Sequence, residues 1–197
     1  MTHTPAVGSV EQSARKRLEK PAEWTKEGTL PAVNQFRADL KNDCPDLVKD
    51  YFVRNLWVDE HGVWVEFVSA RDTFELALMT LAGEPPIQVV VQRCFNCDKY
   101  HFAVGTMETP AIAVAHASYD EMANAFKLAV TSVKAGIEAD KKNLSETEKR
   151  AYVEGAVKAV MPDVSVAPHK DGFSFADSPE TAALAAAMRE RQNAKVH

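Results

Sequence analysis

Glycine is scarce in this chain, 8 of 197 residues, which leaves few places where bare backbone can wrap a phosphate or a nucleotide. A glycine-rich phosphate loop, a Gly-x-Ser-x-Gly elbow, a His-Glu-x-x-His helix and a Walker lysine are all missing. The reading therefore leans away from an enzyme. A small hydrolase or transferase built from scattered Asp, Glu and His has no motif behind it and stands as a third alternative. Cysteine is scarce too. Three of them, an odd number, exclude a disulfide framework, and the opening MTHTPAVGSVEQ lacks the charged-then-apolar pattern of a secretory leader. Reduced thiols and a cytoplasmic location are expected. No apolar run approaches the roughly 20 residues that a membrane helix needs, so no membrane association is expected.

Strong positive charge is also missing. The formal net charge of -5 implies a mildly acidic surface and no chain-wide pull on nucleic acid or anionic lipid. The one dense basic stretch, ArgLysArgLeuGluLys at 15–20, reads first as a solvated helix face. Its alternative reading is a nucleic-acid-contacting arm built from Arg15, Lys16, Arg17 and Lys20.

What is present is ordinary globular material: 46% hydrophobic and 26% charged residues, enough in 197 positions to bury a core without covalent staples. Residues 1–8 read as a flexible tail, 9–50 as an N-terminal helical segment, and 51–197 as an α+β core domain. Ser9, Ser118 and Ser145 each stand three residues before Gln or Glu, the spacing of a capping box. The second opens the clearest helix, with Met122, Phe126, Val130, Val133 and Ile137 on one stripe. The third opens a partner helix whose Val153, Val157 and Val160 face the core until Pro162, which completes a helical hairpin. Pro31 is expected at a first helical position, ahead of a stripe of Val33, Phe36 and Leu40. Leu47, Val48 and Tyr51 add a turn after Pro45, and a short helix at 72–82 carries Phe74, Ala77, Leu78 and Leu81 before Gly83 stops it.

Three β-hairpins interleave with these amphipathic helices: 52–58 with 63–68, 87–93 with 99–104, and 164–167 with 173–175. The fold class is α+β with antiparallel pairing. A weak ββα repeat shows in two segments that each run from Ser to Met over eleven positions, 69–79 and 178–188. In the first hairpin, pairing Val58 with Val63 sets Trp57 opposite Trp64 and puts Leu56, Val58, Val63, Val65 and Phe67 on one face. Val53, Trp57, Trp64 and Val68 then take the other.

The second hairpin carries the chemistry-bearing motif, RCFNCDKYHF, in which Cys94-x-x-Cys97 precedes His101. The first reading is structural, two small apolar thiols punctuating a turn, with no metal or other cofactor. The alternative is a zinc knuckle completed by Cys44 or a histidine. Regular alternation along the strand carries His101 away from the hairpin tip, and His61 and His116 are the other imidazoles in view. A redox pair is the least favoured reading, since it wants a helix N-terminus behind the cysteines.

The function expected from these readings is a non-enzymatic protein-binding module, an inhibitor, accessory or assembly component. Its partner surface includes Trp57, Trp64 and Tyr100. A zinc-stabilised nucleic-acid-binding protein is the alternative. The general character of a compact acidic chain without enzyme motifs resembles the accessory proteins that bacteria and their phages produce. A protein partner is favoured over nucleic acid, and the oligomeric state stays open.

Overall fold

The structure, a computed structural model, describes residues 17–97, 99–106, 113–119, 121–162, 167–169 and 172–174. The third-hairpin segments 164–166 and 175, the copy of the repeat at 178–188, the Ser9 capping box, Arg15 and Lys16 lie outside the described residues.

The class is α+β, as the alternating patterns require. Helix α1, Lys26–Asp43, begins five residues before Pro31, because Thr25 caps it and its side chain accepts from the Gly28 amide. Pro31 therefore sits inside the first turns and not at their start. The bond its missing N–H removes is the one to the Glu27 carbonyl, at an exposed helix end open to solvent. Phe36 and Leu40 are buried on the expected stripe, and Val33 packs beside them. Helix α2, Pro45–Asp50, starts on its proline and buries Leu47.

Strands β1, Phe52–Asp59, and β2, Gly62–Val68, form the first hairpin. The register is the expected one, Trp57 opposite Trp64 and Val58 opposite Val63. The Asp59 carboxylate closes the turn by accepting from the amides of His61 and Gly62. One expectation fails: a bulge between Val53 and Asn55 leaves Arg54 as the extra residue, so Val53 comes opposite Phe67 and Phe52 opposite Val68. A single inserted residue flips everything beyond it, which moves Val53 off the tryptophan face.

Helix α3, Thr73–Leu81, is capped by Asp72 and stopped by Gly83 at φ +69. Its apolar side faces outward: Phe74 is 73% exposed, Leu78 50% and Leu81 84%. Strands β3, Ile87–Cys94, and β4, Tyr100–Thr106, make the second hairpin, and β5, Ala113–Ala117, pairs antiparallel to β4. The pattern reading missed β5 because its alternation is between alanine and larger residues, a weak period-2 signal.

Helix α4, Met122–Lys141, and helix α5, Glu146–Val160, form the predicted helical hairpin. The box at Ser145 is complete, with Glu148 bonding back to the Ser145 amide. At Ser118 the serine and Glu121 do bond, but they form a turn just ahead of α4, whose cap position is Glu121 itself. Val153 and Val157 pack on Leu128 and Ala135.

Strands β6, Ala167–His169, and β7, Gly172–Ser174, include Pro168, His169 and Gly172, residues expected in the turn. Strand β7 pairs parallel to β5, the one departure from antiparallel order, in a seven-stranded sheet ordered β1-β2-β3-β4-β5-β7-β6.

One face of the sheet, with Val63, Val65, Phe67, Val89, Val91, Tyr100, Phe102 and Val104, packs on Phe36, Leu40, Leu47, Met122, Phe126 and Val133. Leu18 joins this core at 1% exposure, although residues 17–20 are not helical. The 9–50 segment thus contributes side chains to the same core as the sheet. The opposite face carries Trp57, Trp64, Val90 and Ala103, together with the buried polar residues Glu66, Gln88, Gln92 and His101. Gln88 donates to the Glu66 carboxylate, and Arg54 stands 3.9 Å from it.

Candidate metal centre

Ladder parity sets the site. Gln92 pairs with His101 and Arg93 with Tyr100, so Arg93 and Tyr100 point into the core while His101 lies on the tryptophan face. Cys94, the next residue along β3, falls on the His101 side. Residues 95–97 then curl the chain back over that face and bring Cys97 near the start of β4. The result is a cluster in which Cys94 Sγ, Cys97 Sγ and a His101 ring nitrogen all lie within 4.8 Å of one another, with Cys97 Sγ 3.1 Å from His101 Nε2. It is the one group of three or more metal-ligating side chains found among the described residues. The expectation that strand alternation carries His101 away from the tip fails here, because the turn residues 95–97 do not continue the alternation of β4.

The neighbouring hairpin supports the tip. Gly62 pairs with Cys94, and a Cβ at Gly62 would run into the Arg93 carbonyl oxygen, so only glycine lets the two strands approach here. The Phe95 amide continues the ladder by donating to the His61 carbonyl. The Asn96 amide donates to Cys94 Sγ at 3.2 Å, the kind of N–H to sulfur contact that favours a thiolate when a metal is bound.

Three carbonyls of the turn are held by two guanidinium groups. Arg17 donates through Nε to the Phe95 carbonyl at 2.9 Å, and Arg93 Nη1 reaches the carbonyls of Cys97 and Lys99, both at 3.4 Å. Arg93 is fully buried. Its guanidinium carbon lies 4.3 Å from the Tyr119 ring centre and 5.4 Å from that of Tyr100. Tyr100 in turn donates to Asp43 at the end of α1. A fully buried arginine was not legible in the sequence, where Arg93 closes a polar-flanked strand end like any surface residue.

Burial pushes the Cys97 thiol up to about 11, and the adjacent Cys94 adds to the shift. This is the opposite direction from the lowered thiol that dithiol catalysis uses. Cys44 is fully buried at the junction of α1 and α2, its thiol raised to about 11 by burial, and it stands outside the cluster. Of the two expected completions, Cys44 or a histidine, the structure gathers a histidine, His101, with Cys94 and Cys97 and leaves Cys44 apart. His61 is exposed beside Glu60. In the β4–β5 register, His116 holds the position opposite His101.

The other expected site residues are dispersed. Trp57 and Trp64 stack at 5.7 Å with their planes 10° apart, half-buried, and Trp64 Nε1 has no hydrogen-bond partner among the described residues. Tyr100, expected beside them on a partner surface, belongs to the core and has no exposed area, since ladder parity points it away from the tryptophans. Lys20 lies over Trp24 at 5.7 Å, and Arg17 is tied to the cysteine turn as described.

No helix among the described residues is long and apolar enough to cross a membrane. Comparisons with protein-family models, with curated proteins and with solved structures give no match for this chain.

Proposed function

We propose that the chain is a zinc-binding protein whose metal clamps the tip of the β3–β4 hairpin through Cys94, Cys97 and His101. The observation that supports this most is the convergence of two sulfurs and one imidazole nitrogen within 4.8 Å. Two thiolates and an imidazole form a borderline-soft donor set that suits Zn²⁺ in tetrahedral geometry. Carboxylate-seeking ions such as Mg²⁺ and Ca²⁺ have no oxygen ligand in this set. The fourth position falls to water, as in a site with three protein ligands.

Such a metal would do structural work. The described turn residues 95–97 and 99 have no regular secondary structure, and cross-linking both strand ends fixes a segment that is otherwise held by two arginines and one backbone bond to β2. Elemental analysis of the purified full-length chain tests the reading: one zinc per chain is expected, falling to a small fraction in Cys97→Ser. A chain purified without metal, whose stability is unchanged when zinc is supplied, refutes it.

Protein binding is the second reading, and the exposed stripe of Phe74, Leu78 and Leu81 on α3 favours it over the half-buried tryptophan pair. Replacing Leu78 and Leu81 by Gln tests it. Loss of a co-purifying partner without loss of fold supports this reading, and an unchanged set of associated proteins removes it.

A further inference from the structure

We infer that Cys94 and Cys97 are a peroxide-sensitive modification site, at which oxidation to an intramolecular disulfide expels the metal. The inference rests on the zinc reading and specifies how that site would be regulated. Three observations carry it. The two sulfurs lie within 4.8 Å of each other, so rotation about the Cα–Cβ bonds can bring them to bonding distance. Cys97 is partly accessible, while Cys44 is fully buried, so a small oxidant meets Cys97 first and does not reach the third thiol. The turn is also held independently of the metal, by Arg17 on the Phe95 carbonyl and by Arg93 on those of Cys97 and Lys99. Loss of the ion then leaves the sulfurs side by side.

The chemistry balances with hydrogen peroxide as the oxidant. Coordination to zinc keeps both sulfurs as thiolates. The lone pair of one sulfur attacks a peroxide oxygen, forming an S–O bond as the O–O bond breaks and hydroxide leaves. The second sulfur attacks the first, forming the S–S bond as the S–O bond breaks and a second hydroxide leaves. Two protons from solvent convert both hydroxides to water. The sulfur pair is oxidised by two electrons, the peroxide is reduced, and zinc keeps its charge throughout. A disulfide is a poor zinc ligand, and His101 is then the last of the three cluster ligands, too few to hold the ion.

The test uses the full-length chain, loaded with zinc and checked for one metal per chain before oxidation. On titration with hydrogen peroxide, a chromophoric chelator should report one equivalent of zinc released per disulfide formed. Peptide mapping should place the disulfide between residues 94 and 97, with Cys44 still reduced. Dithiothreitol followed by zinc should restore the starting state. In Cys44→Ala the release should be unchanged, and in Cys97→Ser the disulfide should be lost. Retention of zinc by a loaded chain at peroxide levels that oxidise glutathione overturns the inference and leaves the zinc reading standing. So does a disulfide that involves Cys44, or irreversible sulfinic acid at either position. A chain that takes up no zinc at the loading step fails the zinc reading, and the inference falls with it.

Discussion

Cys97 Sγ lies 3.1 Å from His101 Nε2, although the two residues sit on different structural units, one in an irregular turn and the other on the second position of β4. Sequence spacing of four residues within a strand would set them more than 12 Å apart. The turn folds back over the strand and makes them neighbours.

Metal linkage follows from that contact. Zinc that binds the folded chain and not the unfolded one stabilises by about 2.7 kcal/mol at a free concentration 100 times its dissociation constant. Adding zinc to metal-free protein should raise the thermal midpoint, and a strong chelator should reverse the change. His101→Ala should abolish the response while leaving the metal-free midpoint within a few degrees.

Arg93 should prove costly to remove. Its guanidinium has two ring contacts and two carbonyl partners in a fully buried setting. Arg93→Ala loses these and opens a cavity, an expected cost of about 2–4 kcal/mol. Denaturant unfolding measures it. The turn amides of Phe95, Cys97 and Lys99 should also gain hydrogen exchange relative to the amides of β3, as the turn loosens.

Alkali should destabilise the fold, beginning near pH 9. Burial raises the Cys44 thiol from 9.0 to about 11 and the Tyr51 hydroxyl from 10.0 to about 12, and Tyr100 is raised as well by burial and by Asp43. Each group keeps its proton in the folded chain to a higher pH than in the unfolded chain. The unfolded state therefore binds fewer protons above pH 9, and stability falls as pH rises. Thermal midpoints measured between pH 8 and 11 should decline. Cys44→Ala should flatten the part of the curve between pH 9 and 10.

Tryptophan emission separates the three indoles. Trp24 is 52% exposed, while Trp57 and Trp64 are stacked and half-buried. Trp24→Phe should remove most of the iodide-quenchable fluorescence. Equal quenching before and after that change would place the stacked pair at the surface.

Much of the fold was legible because its signals are local. The capping box at Ser145, the stripe of Met122, Phe126 and Val133, and the Trp57–Trp64 register all follow from periodicity and turn chemistry, and each is found. The failures have other origins. The bulge at Arg54 and the fully buried Arg93 depend on partners distant in sequence, so no local pattern marks them; the early start of α1 rests on a local cap, Thr25 accepting from Gly28, which the proline at 31 overshadowed. The outward stripe on α3 shows the converse: amphipathic spacing identifies a helix and its apolar side without saying whether anything covers it.

The candidate site was half legible. Cys-x-x-Cys at a hairpin turn was readable, and so was the separation of Cys44 from it in sequence. The position of His101 was not, because strand alternation holds only while the strand continues. The irregular backbone at 95–97 undoes it.

X-ray absorption at the zinc edge of the full-length, zinc-loaded chain tests the central claim most directly. A first shell with two sulfurs at about 2.3 Å and imidazole nitrogen at about 2.0–2.1 Å is the predicted result. The nitrogen scattering should fall in His101→Ala and the sulfur scattering in Cys97→Ser. A shell made only of light oxygen or nitrogen scatterers, unchanged by either substitution, would contradict the account.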